Sequence, residues 1–100
     1  MTTTAIRKYK VNIREIEKKA IDYAFSENRS KINEQGLSEN ALELKKTVIA
    51  IREAARLFVH DALESLPVVT PTDRREVEEI AITAIECGAD CVEYLEKYCE

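Results

Sequence analysis

The three cysteines are the residues of this chain whose type and spacing most directly suggest chemistry. Cys87 and Cys91 lie one helical turn apart and Cys99 follows two turns later, so their thiolates could begin a metal site. On a helix they would also share a side with Val77 and Ala84, where a free cysteine packs as a small hydrophobe. We therefore predict that the cysteines are packing residues. A metal or redox role, and an intermolecular disulfide through Cys99, are the alternatives.

The chain has one histidine, His60, and three carboxylates lie near it on the polar back of the same predicted helix: Glu53, Asp61 and Glu64. Such a group could hold a cation, but the paired Glu-x-x-His motifs of helix-bundle metal proteins are missing. We predict a solvated or loosely hydrogen-bonded histidine. Because the sequence also contains no glycine-rich phosphate loop, nucleophile elbow or paired-cysteine zinc framework, we expect no enzymatic activity, no cofactor and no metal.

Basic residues form two lines with the same spacing on the first two predicted helices. The six residues of these lines are Arg7, Arg14, Lys18, Lys45, Arg52 and Arg56. Two parallel lines of cations could bind the phosphates of a nucleic acid. The sequence pI of about 5.1 is far below that of a typical nucleic-acid-binding module, so we keep this as the alternative function.

Four acidic residues share the side of the third predicted helix that lies opposite its apolar residues. They recur at spacings of 7, 4 and 3 and are Glu79, Glu86, Asp90 and Glu93. A solvated helix face explains them most simply. The functional interpretation is a negative face that docks on a basic partner protein.

All these residues must be positioned by amphipathic helices, because apolar residues alternate between spacings of 3 and 4 in three stretches. The first stretch predicts helix 1 over about 4–26, with a threonine near position 4 as its N-cap. Its apolar positions are Ile6, Tyr9, Ile13, Ile16, Ala20 and Tyr23. The second stretch predicts helix 2 over about 38–65. Its apolar positions are Leu37, Ala41, Leu44, Val48, Ile51, Ala55, Phe58 and Ala62.

The third stretch predicts one continuous helix 3 over about 71–98. Thr70, Pro71 and Asp73 form an N-terminal signature, with a capping hydroxyl, a proline at the first helical position and an acid three residues after the cap. The apolar positions that continue the rhythm are Val77, Ile80, Ala84, Cys87, Cys91, Tyr94 and Tyr98. A glycine inside a helix costs about 1 kcal/mol relative to alanine, so we interpret Gly88 as the site of a close helix crossing.

The composition is typical of a single helical domain over residues 1–100. Hydrophobic residues make up 45% of the chain and charged residues 34%, with only two glycines. Three long amphipathic helices predict an all-α antiparallel helical bundle. Leu42, Ile49 and Leu57 lie off the main apolar stripe of helix 2, and together with Gly88 they suggest that homodimerisation completes the bundle.

Charge is unevenly distributed along the chain, whose net charge is -4. Residues 1–20 contain six basic and two acidic side chains, whereas residues 73–100 contain nine acidic and three basic ones. The N-terminus lacks the apolar segment of a secretory signal, and no stretch is apolar enough to cross a bilayer, so we expect a cytoplasmic protein. We predict a small, non-enzymatic protein-binding or regulatory module, of adaptor or inhibitor type, that acts through charged helix faces and a helical interface.

Overall fold

The computed structural model describes residues 7–26 and 39–100, and this part of the chain is mostly helical. Helix α1 spans Ile13–Ser26, α2 spans Glu39–Glu64, α3 spans Pro71–Glu86 and α4 spans Cys91–Glu96. A short 3₁₀ turn, Gly88–Asp90, joins α3 to α4. The four helices pack against one another, and the described residues form no strand. The predicted helical fold class is confirmed. Three helices were predicted, and the described residues form four.

Helices α1 and α2 pack side by side in opposite directions. Near the start of α1, the ring of Tyr9 meets the ring of Phe58 edge to face, with 6.1 Å between their centroids. Near the end of α1, the Lys46 ammonium lies 4.7 Å from the centroid of the Phe25 ring. Tyr9, just before α1, thus contacts the late part of α2, and Phe25, near the end of α1, contacts the early part of α2. The two helices are therefore antiparallel.

Helix 1 is shorter than the predicted span of about 4–26, because it begins at Ile13. The side chain of Asn12 accepts a hydrogen bond from the backbone N–H of Glu15 at 3.2 Å, which is the geometry of an N-cap. Before the cap, Tyr9 is extended. Its backbone N–H donates to the carbonyl of Tyr98 at 2.8 Å, and its carbonyl accepts from Glu100 at 3.0 Å. The threonine predicted as the cap, near position 4, lies outside the described residues.

The prediction of one continuous helix over 71–98 is wrong. Gly88 has a φ of +61°, a left-handed conformation that ends a helix when it follows the C-cap, here Cys87. The chain then folds back, since Tyr94 and Tyr98 of the returning segment share a hollow with Thr83 of α3. The 3/4 rhythm did not reveal this turn because Cys91 and other apolar residues of α4 keep the same spacing.

The start of α3 follows the sequence prediction. Thr70 accepts a hydrogen bond through its hydroxyl from the backbone N–H of Asp73, and the Asp73 carboxylate accepts one from the backbone N–H of Thr70, both at 3.1 Å. Pro71 occupies the first turn. This reciprocal capping box satisfies two N–H groups that a helix start leaves without partners inside the helix, so the boundary is determined locally.

One apolar core lies between the four helices and the segment before α1. Its largest fully buried side chains are Phe58, Ile16, Leu95, Val77 and Cys91. Small residues of α2, including Ala54 and Ala62, let the neighbouring helices approach closely. Among the helices of residues 7–26 and 39–100, none combines the length and the apolar character that crossing a membrane requires.

Candidate functional site

An open groove of about 390 Å³ lies between α1, α2 and the turn that joins α3 to α4. Ala20, Ala50 and Ala54 are among the residues along it, and their side chains are too small to fill the space between the helices. Ile21 and Phe25 of α1 also line it, and both are exposed large hydrophobic side chains. The groove is therefore apolar, shallow and open to solvent.

The apolar stripe of α2 is covered along only part of its length. Phe58 is 0% exposed, whereas on the same stripe Val48 is 40% exposed and Leu44 is 68% exposed. The change occurs near Ile51, whose carbonyl lies 3.8 Å from the Cys91 sulfur at the start of α4. Because the α3–α4 hairpin turns back at this level, it leaves the earlier part of the stripe uncovered.

These features combine into one surface, which we call the open apolar face. It consists of the groove and of the exposed side chains Ile21, Phe25, Leu44 and Val48. Ile51 belongs both to the groove and to the α2 stripe, so it links Leu44 and Val48 to the groove. Exposed apolar side chains near an apolar groove are characteristic of a site that binds another macromolecule.

Of the residues predicted for self-association, Gly88 lines the groove, whereas Ile49 and Leu57 do not. Leu57 packs against the core, and Ile49 is half-buried in a small hollow beside Tyr23 and Arg52. The side chain of Leu42 lies outside the described part of the structure. Gly88 makes no close helix crossing, because a Cβ atom placed on it would meet no atom within 4 Å. Its role is the left-handed turn.

The predicted acidic face is not a single helix face, although all four of its side chains are exposed. Glu79 and Glu86 belong to α3, Asp90 lies in the 3₁₀ turn, and Glu93 belongs to α4. Spacings of 7, 4 and 3 place residues on one face only if the helix is continuous, and the turn at Gly88 interrupts it. The four carboxylates are therefore distributed around a hairpin.

Arg7 and Arg56 of the predicted basic lines form ion pairs within the chain. Arg7 lies before α1 and donates to Asp73 at 2.7 Å and to Glu76 at 3.3 Å. Arg56 donates to the buried carboxylate of Glu53. The other four cations, which are exposed on α1 and α2, are Arg14, Lys18, Lys45 and Arg52.

The Arg7 ion pair also ties the segment before α1 to the start of α3. The Arg7 hydrogen bond, assisted by those from the backbone and hydroxyl of Thr70, lowers the pKa of Asp73 to about 2. The hollow of about 400 Å³ next to this tie is lined by Arg7, Tyr9 and Glu76, among others. Among the described residues along that hollow, Arg7 is the one cation, and it already has two acidic partners. In this part of the structure the arrangement therefore holds the fold together and offers no strong anion site.

Two of the three cysteines are packing residues, as predicted, and one is not. Cys91 and Cys99 are buried, while Cys87 is exposed at the end of α3. Burial raises the pKa of Cys91, and it raises the pKa of Cys99 to about 11 with a further contribution from Glu96. Cys87 was predicted on the inward side because a continuous helix would have placed it there. All three thiols are free.

His60 lies on the exposed side of α2 with two acidic neighbours. Its Nδ1 is 3.2 Å from a carboxylate oxygen of Asp61, and its Nε2 is 3.4 Å from one of Glu64. Glu53, which we had grouped with them, instead bonds Arg56. Exposed acidic side chains one turn apart pair with a histidine in this way without needing an ion, so we assign this cluster no cation.

Comparisons with known proteins add no functional assignment. No protein-family model, curated protein or solved structure matches the chain.

Proposed function

We propose that this chain is a non-enzymatic protein-binding module, of adaptor or inhibitor type, and that the open apolar face is its binding surface. One observation carries the proposal: the same apolar stripe of α2 is fully buried at Phe58 and largely exposed at Leu44. Apolar residues of α2 are spaced alternately 3 and 4 apart over the whole stripe, so the whole stripe is suited to packing against other helices. We therefore infer that a partner covers the exposed part of this stripe, around Leu44 and Val48.

The chemistry of the face favours a protein over a nucleic acid. Its exposed side chains are aliphatic and aromatic, and such side chains form the centres of protein interfaces. Nucleic-acid binding would depend on the basic lines instead, and Arg7 and Arg56 already form ion pairs with carboxylates. The exposed carboxylates of the α3–α4 hairpin would then serve to attract and orient a partner with basic residues around its own apolar site.

A pull-down from the native host with matched variants tests this proposal. The double variant Leu44→Glu with Val48→Glu places two charges on the face, and Ile82→Glu is the control. Ile82 is comparably exposed, at 57%, but belongs to α3 and does not line the groove. We expect the double variant to lose the proteins that the unmodified chain and the control retain, because carboxylates cannot be buried against apolar side chains without partners. Identical retained proteins for all three chains would contradict the proposal.

A further inference from the structure

We propose that the open apolar face binds a second copy of this chain, so that the α1–α2 ends of two protomers pack about a two-fold axis as a four-helix bundle. This inference rests on the proposed function, because it names the occupant of the same surface. In such an arrangement each protomer contributes residues 17–25 of α1 and residues 43–51 of α2.

The face carries a projecting side chain and a hollow that can receive it. Phe25 is 51% exposed at the edge of the groove, and the groove beside it is lined by Ala20, Ala50 and Ala54. A two-fold axis brings the same patch of each subunit together, so a surface must be complementary to itself. A phenyl ring next to an alanine-lined groove meets that condition, because each ring can enter the groove of the other copy.

Two helices expose apolar side chains at this end, which agrees with a second copy that contributes two helices of its own. Both α1 and α2 expose apolar side chains at this end, through Ile21 and Phe25 on one helix and Leu44 and Val48 on the other. A single added helix would cover the groove but would leave much of one flank exposed. Two helices from a second copy cover both flanks and form the four-helix arrangement in which 3/4 spacing packs well.

The charges around the groove are compatible with self-association. Glu17 and Glu43 line it together with Lys46, so acidic and basic groups lie on the same rim. A two-fold axis can place the acids of one copy near the base of the other. The exposed carboxylates of the α3–α4 hairpin, such as Glu86 and Glu93, lack this balance and would repel their own copies if they met.

The molecule is elongated, which agrees with a long α2 that extends past the α3–α4 hairpin. The structure measures 53 Å along its longest axis and 22 Å along its shortest, with a radius of gyration of 15.4 Å. A compact domain of 100 residues has a radius of gyration of about 13 Å. Helix α2 contributes to this elongation, because its 26 residues extend about 39 Å, while the 16 residues of α3 extend about 24 Å.

Light scattering and sedimentation velocity over a wide range of concentrations test the proposal. We expect the chain to have twice its 11.4 kDa mass at high micromolar concentration and to dissociate on dilution. Leu44→Glu with Val48→Glu should weaken the dimer by roughly 100-fold or more, and Ile82→Glu should leave it intact. Unchanged helix content by circular dichroism in both variants establishes that any loss of mass is not unfolding.

The contrary outcomes distinguish the occupant of the face from the location of the interface. A chain that keeps its monomer mass at every concentration overturns the second copy as occupant. If the double variant nevertheless loses partners in the pull-down, the protein-binding function stands and another protein occupies the face. A dimer that the double variant does not weaken overturns this face as the interface. A dimer weakened by Ile82→Glu alone places the interface on α3 and has the same consequence.

Discussion

At the scale of single residues, burial separates thiols that look alike in the sequence. Cys91 lies in the core and Cys99 hydrogen-bonds the carbonyl of Leu95 at 3.3 Å, so a thiolate at either position would lose its hydration. This is the physical reason that their pKa values rise. Cys87 lies only four residues before Cys91, yet it reaches solvent because α3 ends there.

A thiol titration at neutral pH tests this difference. We expect the native protein to react rapidly with one equivalent of an aromatic disulfide reagent, since reaction requires an accessible thiolate. Three equivalents should react in denaturant. Cys87→Ser should abolish the rapid phase, whereas Cys99→Ser should preserve it. Rapid native reaction of more than one thiol would show that the core at α4 opens readily.

Asp73 provides the second prediction at this scale, because its pKa of about 2 lies below the ordinary value of 3.8. A carboxylate whose pKa is lowered by folding stabilises the protein above its ordinary pKa and loses that contribution as the pH falls through its folded pKa. We therefore expect the contribution of Asp73 to be complete at pH 5 and to decline between about pH 4 and pH 2.

Urea unfolding of the unmodified chain and of Asp73→Asn measures this contribution. The difference in free energy of unfolding between them should be smaller at pH 2 than at pH 5. Glu78→Gln, an exposed carboxylate five residues later on the same helix, is the control and should show no such change. A difference for Asp73→Asn that is constant over this range would mean that Arg7 and Thr70 do not act on the carboxylate in solution.

At the scale of elements, the decisive feature is the reversal of the chain between α3 and α4. Gly88 adopts a φ that other residues reach only with strain, and open space surrounds the position where a side chain would begin. The cost of replacing it is therefore conformational rather than steric. The close crossing that we predicted at Gly88 would have made the cost depend on side-chain size instead.

This distinction leads to a prediction about Gly88→Ala and Gly88→Leu. Both should destabilise the fold by a similar amount, about 1–2 kcal/mol, because both must adopt the left-handed conformation and the Cβ atom of either meets no neighbour. Gly88→Asn should cost less, since asparagine tolerates that conformation better. Chemical denaturation followed by circular dichroism measures all three. A leucine variant much less stable than the alanine variant would favour the close crossing.

At the scale of the whole molecule, the length of α2 and the position of the hairpin turn together create the open apolar face. The α3–α4 hairpin covers the stripe of α2 as far as Ile51, and beyond it Val48 and Leu44 are exposed. An uncovered stripe beside an alanine-lined groove is a feature of the assembled fold. The pull-down and mass measurements proposed above therefore test a property that no single helix possesses.

Local interactions made much of the helical structure predictable from the sequence. The bounds of α2, Glu39–Glu64, fall within a residue of the predicted 38–65, because 3/4 spacing continues unbroken up to Pro67. The start of α3 was also predictable, since its capping box needs only Thr70 and Asp73. In both cases the residues that determine the boundary are close neighbours in the chain.

The tertiary structure alone decided where the chain turns and which surface is open. Tyr9 extends because its backbone bonds the distant residues Tyr98 and Glu100, and no local pattern records such a partner. The apolar spacing did not predict the α3–α4 turn, because the same spacing continues on both sides of Gly88. The cysteine spacing that first suggested chemistry thus spans two different helices, and the proposed binding surface includes the part of the α2 stripe that these helices leave exposed.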